Sequence, residues 1–285
     1  MLLHQYRSEY AVKRICRVIE ISVSGYYKWV NGSIVIRKVK DKILLVKIKE
    51  VFAKSYETYG SPKITRKLRE KNIRTSKNRV ARLMRENNLK SIVKQKFKAT
   101  TNSNHNLPVA ENVLKQNFKT SKPNEVWTSD ITYIWTQEGW LYLAIVLDIF
   151  TRQIVGWKVG RTLSKELVVE AISKAIKAKR PSESLIFHSD QGVQYASLKV
   201  RQLLKQNNFI QSMSNRGNCY DNAITETFFR SLKTEFVFHY NFKTRIEAEL
   251  VLFKYIELFY NRERIHSSLN YLTPMQYETM YYNYN

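Results

Sequence analysis

Cysteine is scarce in this chain: Cys16 and Cys219 are the only two among 285 residues. Two widely separated thiols do not make a disulfide framework, and they fit a reducing compartment. Long apolar runs are missing as well. None approaches the length of about 18 residues that a membrane helix needs, and Met1 to Tyr10 holds no long apolar stretch of the signal-peptide kind. The expectation is a soluble, intracellular protein without a membrane partner. Acidic residues are also few, 24 against 48 Lys and Arg, which leaves a net charge of +24.

The deficit of acid is uneven. Residues 1–120 hold 28 basic and 8 acidic side chains, a net of +20, and residues 121–285 hold 20 and 16, a net of +4. A basic half joined to a near-balanced half points to a binding region followed by a working domain. Duplex DNA carries about one charge per 1.7 Å and releases counterions to such a region. The plainer alternative is a soluble protein that happens to be rich in lysine. With 44% hydrophobic residues, the chain can build one large core, or a core with one or two small modules.

Residues 1–37 read as a short helical segment of helix-turn-helix type, with a turn at Ser22-Val23-Ser24-Gly25. Residues 38–98 read as a basic helix-turn-helix domain. Its first helix, within 38–60, places Ile43, Leu44, Ile48, Val51 and Phe52 on one face. Ser61 and Pro62 suit the cap and first position of the next helix. A further helix over 76–88 turns Val80, Leu83 and Met84 inward and Lys77, Arg79, Arg82 and Arg85 outward, as a DNA recognition helix would. The alternative is a plain helical hairpin with a solvated basic face. Residues 99–120 lose all periodicity and read as a linker.

From residue 121 the pattern becomes strand-like. Val126–Trp135, Trp140–Phe150 and Gln153–Val159 are rich in β-branched and aromatic residues. A helix at 164–179, a strand at 185–188, a helix at 196–207, a strand at 210–213 and helices at 222–239 and 243–262 follow. That order, βββαβαβα, is that of an RNase H-like α/β fold: a mixed sheet flanked by helices on both faces over residues 121–285.

Three acids stand out in this region. Asp130 interrupts an apolar and aromatic strand, where a lone carboxylate is costly. Asp190 follows the fourth strand, at the end where open α/β sheets place their sites. Glu226 lies in the first turns of a helix. Phosphodiester transfer needs hard cations, and two divalent ions about 3.5–4 Å apart, Mg²⁺ or Mn²⁺, can activate a water or a 3′-hydroxyl and stabilise the leaving oxygen. Asp148 reads as a strand-end or packing acid and Asp221 as a helix N-cap. His188 reads as structural or phosphate-contacting, and His266 as a local hydrogen-bonding or DNA-contact group. Ser189 sits in no triad-like setting, and no tyrosine sits among the Arg and His partners of a covalent recombinase.

The segments around the acids carry a resemblance. Trp127-Thr128-Ser129-Asp130-Ile131-Thr132-Tyr133 resembles the first-aspartate motif of insertion-sequence transposases with a retroviral-integrase-type core. Leu147 through Trp157 resembles their next two strands, and His188-Ser189-Asp190-Gln191-Gly192 with Tyr195 their second-aspartate motif. Tyr220-Asp221-Asn222-Ala223 through Glu226, with Phe229 and Lys233, resembles the third. Thirty-five residues separate Asp190 from Glu226, the spacing of that family's D,D(35)E signature. Lys233 stands seven residues after Glu226, two helical turns along the same face; otherwise it is a solvated lysine. The closing segment Phe259–Leu269, up to Pro274, also resembles the family, although Asn270 stands where many relatives have glycine.

The chain is similar to the second-frame (OrfB-type) product of two-frame bacterial insertion sequences. The resemblance implies a bacterial, cytoplasmic, nucleoid-associated transposase that cleaves and joins DNA through Asp130, Asp190 and Glu226 with two metal ions and no organic cofactor. It further implies contacts from Lys233, Lys77, Arg79, Arg82, Arg85 and Arg264 to double-stranded DNA, both terminal inverted repeats and target. A homo-oligomer of at least two copies, and an upstream-frame partner, belong to the same picture. Residues 1–120 offer only His4, His105 and Cys16 as soft ligands, so the zinc module of retroviral integrases is not expected. An RNase H-like nuclease or resolvase that cuts without joining, and a non-catalytic regulator of the element, are the competing readings.

Overall fold

The computed structural model describes residues 10–31, 33–92, 108–115, 117–181, 184–215 and 222–284. The expectations for His4, His105, Cys219, Asp221 and linker residues 99–107 lie outside them. The chain divides into two compact units, Met1–Lys90 and Ser91–Asn285. Among the described residues no helix is long and apolar enough to cross a membrane.

The first unit is all-helical. Helices α1 (Val12–Val18) and α2 (Val23–Val30) close over Cys16 and Tyr26. The Ser22 hydroxyl caps α2 by accepting the Gly25 N–H at 3.0 Å, which satisfies one of the helix's orphan donors. Helix α3 (Ser33–Lys54) packs on α4 (Ser61–Glu70) and α5 (Lys77–Glu86) through Leu44, Ile48, Val51 and Phe52 against Ile64, Leu68, Val80, Leu83 and Met84. Two expectations change here. Ile43 is 61% exposed: at 3.6 residues per turn it lies about 100° from Leu44, off the buried stripe. The cap of α4 falls on Gly60, so Ser61 opens the helix without capping it. Ser76 caps α5 as its sequence suits it to do, accepting the Arg79 N–H.

The second unit is built on a five-stranded sheet in the order β3-β2-β1-β4-β5. Strands β1 (Val126–Thr136), β2 (Gly139–Asp148) and β3 (Ile154–Gly160) form an antiparallel meander, and β4 (Ile186–Ser189) and β5 (Ile210–Met213) run parallel to β1. The two faces are read from neighbouring residues, which point opposite ways in a strand. Trp127 packs into the core made with α6 (Lys165–Lys179) and α7 (Leu198–Gln206). Thr128, next in line, meets Asn222 and Thr225 at the start of α8 (Ala223–Glu235) on the other face. Helices therefore cover both faces, in an RNase H-like architecture. Gly156 permits the close approach of α6 to β3: a Cβ there would stand 2.4 Å from the Ala171 carbonyl oxygen.

The last helices depart from simple continuation. The expected helix over 222–239 ends at Glu235 and resumes as a 3₁₀ turn, Val237–His239. The expected helix over 243–262 is α9 (Arg245–Phe253), which widens into π-helical turns over Lys254–Tyr260. The wide turns bury Tyr255, Ile256, Phe259 and Tyr260 together and let Glu257 accept the Trp157 indole N–H at 2.8 Å. Asn270 has φ +53°, a left-handed conformation that asparagine tolerates better than most residues with a side chain. This lets an asparagine hold a turn where the resemblance leads one to expect glycine. Helix α10 (Pro274–Tyr284) closes the chain, with Glu278 paired to Lys179 at 2.6 Å.

Candidate active site

The parallel pairing of β1 with β4 sets Ser129 against Ser189. One step further stand Asp130, still on β1, and Asp190, the first residue after β4, near enough for the Asp190 charge to act on Asp130. Asp190 turns into a tight loop, where its Oδ1 accepts the Gly192 N–H at 3.0 Å. A Cβ at Gly192 would come within 3.0 Å of the same oxygen, so the glycine keeps space for the carboxylate. Tyr195 anchors that loop: its hydroxyl lies 2.9 Å from Ser129 Oγ, which donates to the Ile145 carbonyl at 2.6 Å. Ser129 faces away from Asp130, so the anchor holds the β1–β4 junction from behind. Burial, with the Asp130 and Asp190 charges, pushes the Tyr195 hydroxyl well above its ordinary value.

Glu226 arrives from the opposite side. The Thr128 hydroxyl contacts Asn222 Oδ1 at 2.7 Å and Thr225 Oγ1 at 2.9 Å. This buried polar cluster fixes the first turn of α8 two residues from Asp130 on the same strand face. Asn222 occupies the N-cap position of the helix.

The electrostatics record this convergence. Burial, then the Asp190 charge and that of Glu226, raise the Asp130 carboxyl well above the ordinary aspartate value; the Ile131 N–H and Lys233 act against them. Burial also raises Glu226 and lowers Lys233, although Asp130 favours the lysine's charge. Asp130, Asp190, Glu226 and Lys233 all keep part of their surface open, as groups that meet a substrate must. Among the described residues no three His, Cys, Asp or Glu side chains form a ready-made metal cage.

The other candidates fall into different roles. Asp148 is 1% exposed and accepts the Asn124 and Thr151 N–H groups and the Thr151 hydroxyl, each at 2.7 Å. It ties the β2–β3 turn to the start of β1, as a strand-end acid. His188 is fully buried, with Nδ1 2.9 Å from Ser212 Oγ on β5, which makes it structural. Arg264 is a correction. The expectation of a DNA contact meets a side chain that is only 11% exposed and held in two bonds to Glu235, Nη2 to Oε1 at 2.6 Å and Nε to Oε2 at 2.8 Å. Burial works against its charge, but the Glu235 carboxylate outweighs it and keeps the guanidinium raised. His266 lies on this cluster, 3.3 Å from Arg264 Nη1.

On α5, Arg79 and Arg82 share Asp41 of α3, each at 2.6 Å, while Lys77 and Arg85 are exposed. The first two are therefore committed in part to holding the first unit together. These arginine pairings were invisible in the sequence because Asp41 lies 38 and 41 residues from Arg79 and Arg82, and Glu235 lies 29 from Arg264. The role of Tyr195 was missed too, although its place in the second-aspartate motif marked it.

A mixed sheet with two aspartates at the β1–β4 junction and a glutamate on the facing helix defines an integrase-type core. Comparison with known proteins agrees. Residues 120–219 and 226–282 match models of the integrase core domain, and residues 38–97 match an HTH-like domain. The chain is 45% identical to the insertion element IS600 uncharacterized 31 kDa protein of Shigella sonnei, over 94% of this chain and 98% of that one. It is 36% identical to transposase InsF for insertion sequence IS3A of Escherichia coli strain K12, over 98% and 97%. The chain belongs to the IS3-type family of insertion-sequence transposases, whose enzymes are DDE-type polynucleotidyl transferases.

Among solved structures it is similar to the simian T-cell lymphotropic virus intasome in complex with PP2A regulatory subunit B56 gamma, at 15% identity over 81% of this chain and 74% of that chain, TM-score 0.47. It is also similar to the HTLV-2 integrase catalytic core domain in complex with magnesium, at 14% identity over 56% and 99%, TM-score 0.43. The family assignment stands without either.

Proposed function

We propose that Asp130, Asp190 and Glu226 form the site at which this transposase cuts element ends and joins them to target DNA. The observation that carries the reading is the placement of Asp190 where its charge acts on Asp130. Like charges this close are held together at a cost, and an arrangement that raises a half-buried carboxyl is characteristic of functional sites.

The donor set suits hard divalent cations: oxygen ligands, few in number, on partly open side chains that leave room for water. Two Mg²⁺ or Mn²⁺ ions held by the three acids would supply charge to the attacking and leaving oxygens of an in-line displacement. The chain's own part is positional. Asp130 is fixed by its pairing in β1, Asp190 by the loop that follows β4, and Glu226 by the Thr128–Asn222–Thr225 cluster. Lys233, two turns beyond Glu226, offers a cation to a phosphate beside them. Water attacks the phosphodiester at the element end and its P–O3′ bond breaks, freeing a 3′-hydroxyl; that hydroxyl attacks a target phosphodiester, and the new P–O bond forms as the target's own 3′-oxygen leaves.

DNA binding outside the site falls to the first unit, where Lys77 and Arg85 are open and Arg79 and Arg82 half-open, acting on terminal repeats and target. A basic module, 1–37 and 38–98, followed by a catalytic core, 121–285, is the organisation this supports; within the expected linker 99–120, Ala110, Val113 and Leu114 pack on the second unit. Joining two ends needs two copies. On α9 an exposed apolar stripe, Ile246, Leu250 and Phe253, has the spacing of a helix face that packs on a second copy. Nucleoid association and a partner encoded by an upstream frame belong to the same reading. The test is strand transfer with labelled element ends and Mg²⁺ or Mn²⁺: wild type joins ends and Asp190→Asn does not. Full joining by Asp190→Asn overturns the assignment.

A further inference from the structure

Beyond Ser129, β1 pairs with β2 alone, and its remaining residues run out past the acids. On this outer stretch Tyr133, Trp135 and Trp140 are 38%, 57% and 43% exposed. Trp135 and Trp140 are register partners, with ring centroids 4.9 Å apart at 72°; Tyr133 lies 5.1 Å from Trp140 at 85°. Such edge-to-face contacts hold the three rings as one unit. Facing them is the segment after α8, with Val237, Phe238, Tyr240 and Asn241, across a groove of about 650 Å³. Lys233 closes one end. Its Nζ stands 5.2 Å over the Tyr133 ring, and its charge acts on Asp130. It is the charged residue among the described residues lining the groove.

We infer that this groove takes an unpaired base of the DNA strand whose phosphate lies at Asp130 and Asp190. The inference rests on the proposed three-acid site. A nucleotide offers what the groove is built to receive: a π face for the rings and a phosphate for Lys233. Bases within a duplex are stacked on one another, so only an unpaired one can present its face to the rings. Tyr133 and Trp135 stand three and five residues past Asp130, about 10–17 Å along a strand; the odd offsets turn their rings to the other face from Asp130, and Lys233, which lies over Tyr133 and acts on Asp130, links the two at the edge of β1 that β4 leaves uncovered beyond Ser129.

The experiment uses the full chain with Ca²⁺, which suppresses cutting, and element-end DNA carrying 2-aminopurine at successive unpaired positions within about five nucleotides of the scissile phosphate. Stacking on the groove quenches its fluorescence in wild type. Trp135→Ala loses the quenching and binds forked ends about tenfold more weakly, in keeping with the value of one base–aromatic stack. Its affinity for fully paired ends stays the same, and Trp135→Phe restores most of the quenching. Unquenched fluorescence in wild type, or equal loss on forked and paired DNA, overturns the inference. Loss of self-association without a change in DNA binding also overturns it, giving the groove to a second copy. Asp190→Asn is read in parallel: if it joins ends yet quenching is present, the three-acid reading fails while base stacking stands.

Discussion

Two clusters of charge in the second unit are built on opposite plans. At Glu235, a carboxylate meets Arg264 in two bonds, accepts the Tyr255 hydroxyl at 3.0 Å and is nearly sealed from solvent. At Asp130, a half-buried carboxylate feels the Asp190 and Glu226 charges, and burial with those charges raises its proton affinity. The first arrangement matches opposite charges and contributes to folding. The second gathers like charges and opposes it, the pattern expected of the proposed site, which would recruit cations and phosphate. Asp41, shared by Arg79 and Arg82 near the surface, stands between the two.

The comparison can be broken at Arg264. Arg264→Ala strands the Glu235 charge in the core and should destabilise the second unit by about 3–5 kcal/mol, the usual result of removing one partner of a buried pair. Urea denaturation measures this, and an unchanged midpoint would return Arg264 to the DNA-contact role. Tyr195→Phe removes a buried hydroxyl from Ser129 and should cost about 1 kcal/mol while slowing strand transfer, since the loop that carries Asp190 loses its anchor. Equal transfer rates at equal folded fraction would show that the anchor serves stability alone.

The basic helix sharpens the contrast. Lys77→Ala with Arg85→Ala should leave thermal stability unchanged and lower the salt dependence of end binding by about one to two in the log–log slope, roughly one for each phosphate that is no longer neutralised. Arg79→Ala with Arg82→Ala should weaken binding and also loosen the first unit, because Asp41 loses both partners. The smallest effect is in pH. The Arg82 hydrogen bond, with that of Arg79, holds Asp41 below its ordinary value. A lowered folded value means stability that is present above the unfolded value of about 3.9 and lost as the pH falls through the folded one. An acid titration of the first unit should steepen there in wild type and not in Asp41→Asn.

Much of this was legible in the sequence because the signals are local. β-Branched and aromatic runs marked the first three strands, and a carboxylate in such a run marked Asp130. The 35-residue gap and the Lys233 spacing tied the acids to one family. What escaped depends on pairings between distant residues. The burial of Arg264 is decided by Glu235 on another helix, and the half-commitment of Arg79 and Arg82 by Asp41. The π-helical turns over Lys254–Tyr260 arise because four large side chains must enter one core, which no helical period predicts. The paired tryptophans were nearer to hand: the hairpin turn is Gln137-Glu138, one residue before Glu138-Gly139, and it sets Trp135 opposite Trp140.

The most direct test sets the two effects of Asp130 against each other in one variant. Its carboxyl binds a proton more tightly folded than unfolded, so folding is penalised as pH climbs past about 3.9, and Asn carries no such penalty. Asp130→Asn should lose strand transfer with Mg²⁺ and Mn²⁺ while its Tm at neutral pH rises by about 2–4 °C, equivalent to ~1 kcal/mol in a unit of this size. Retained strand transfer, or a variant that falls in stability as Arg264→Ala does, would contradict the assignment of Asp130 to chemistry rather than to the fold.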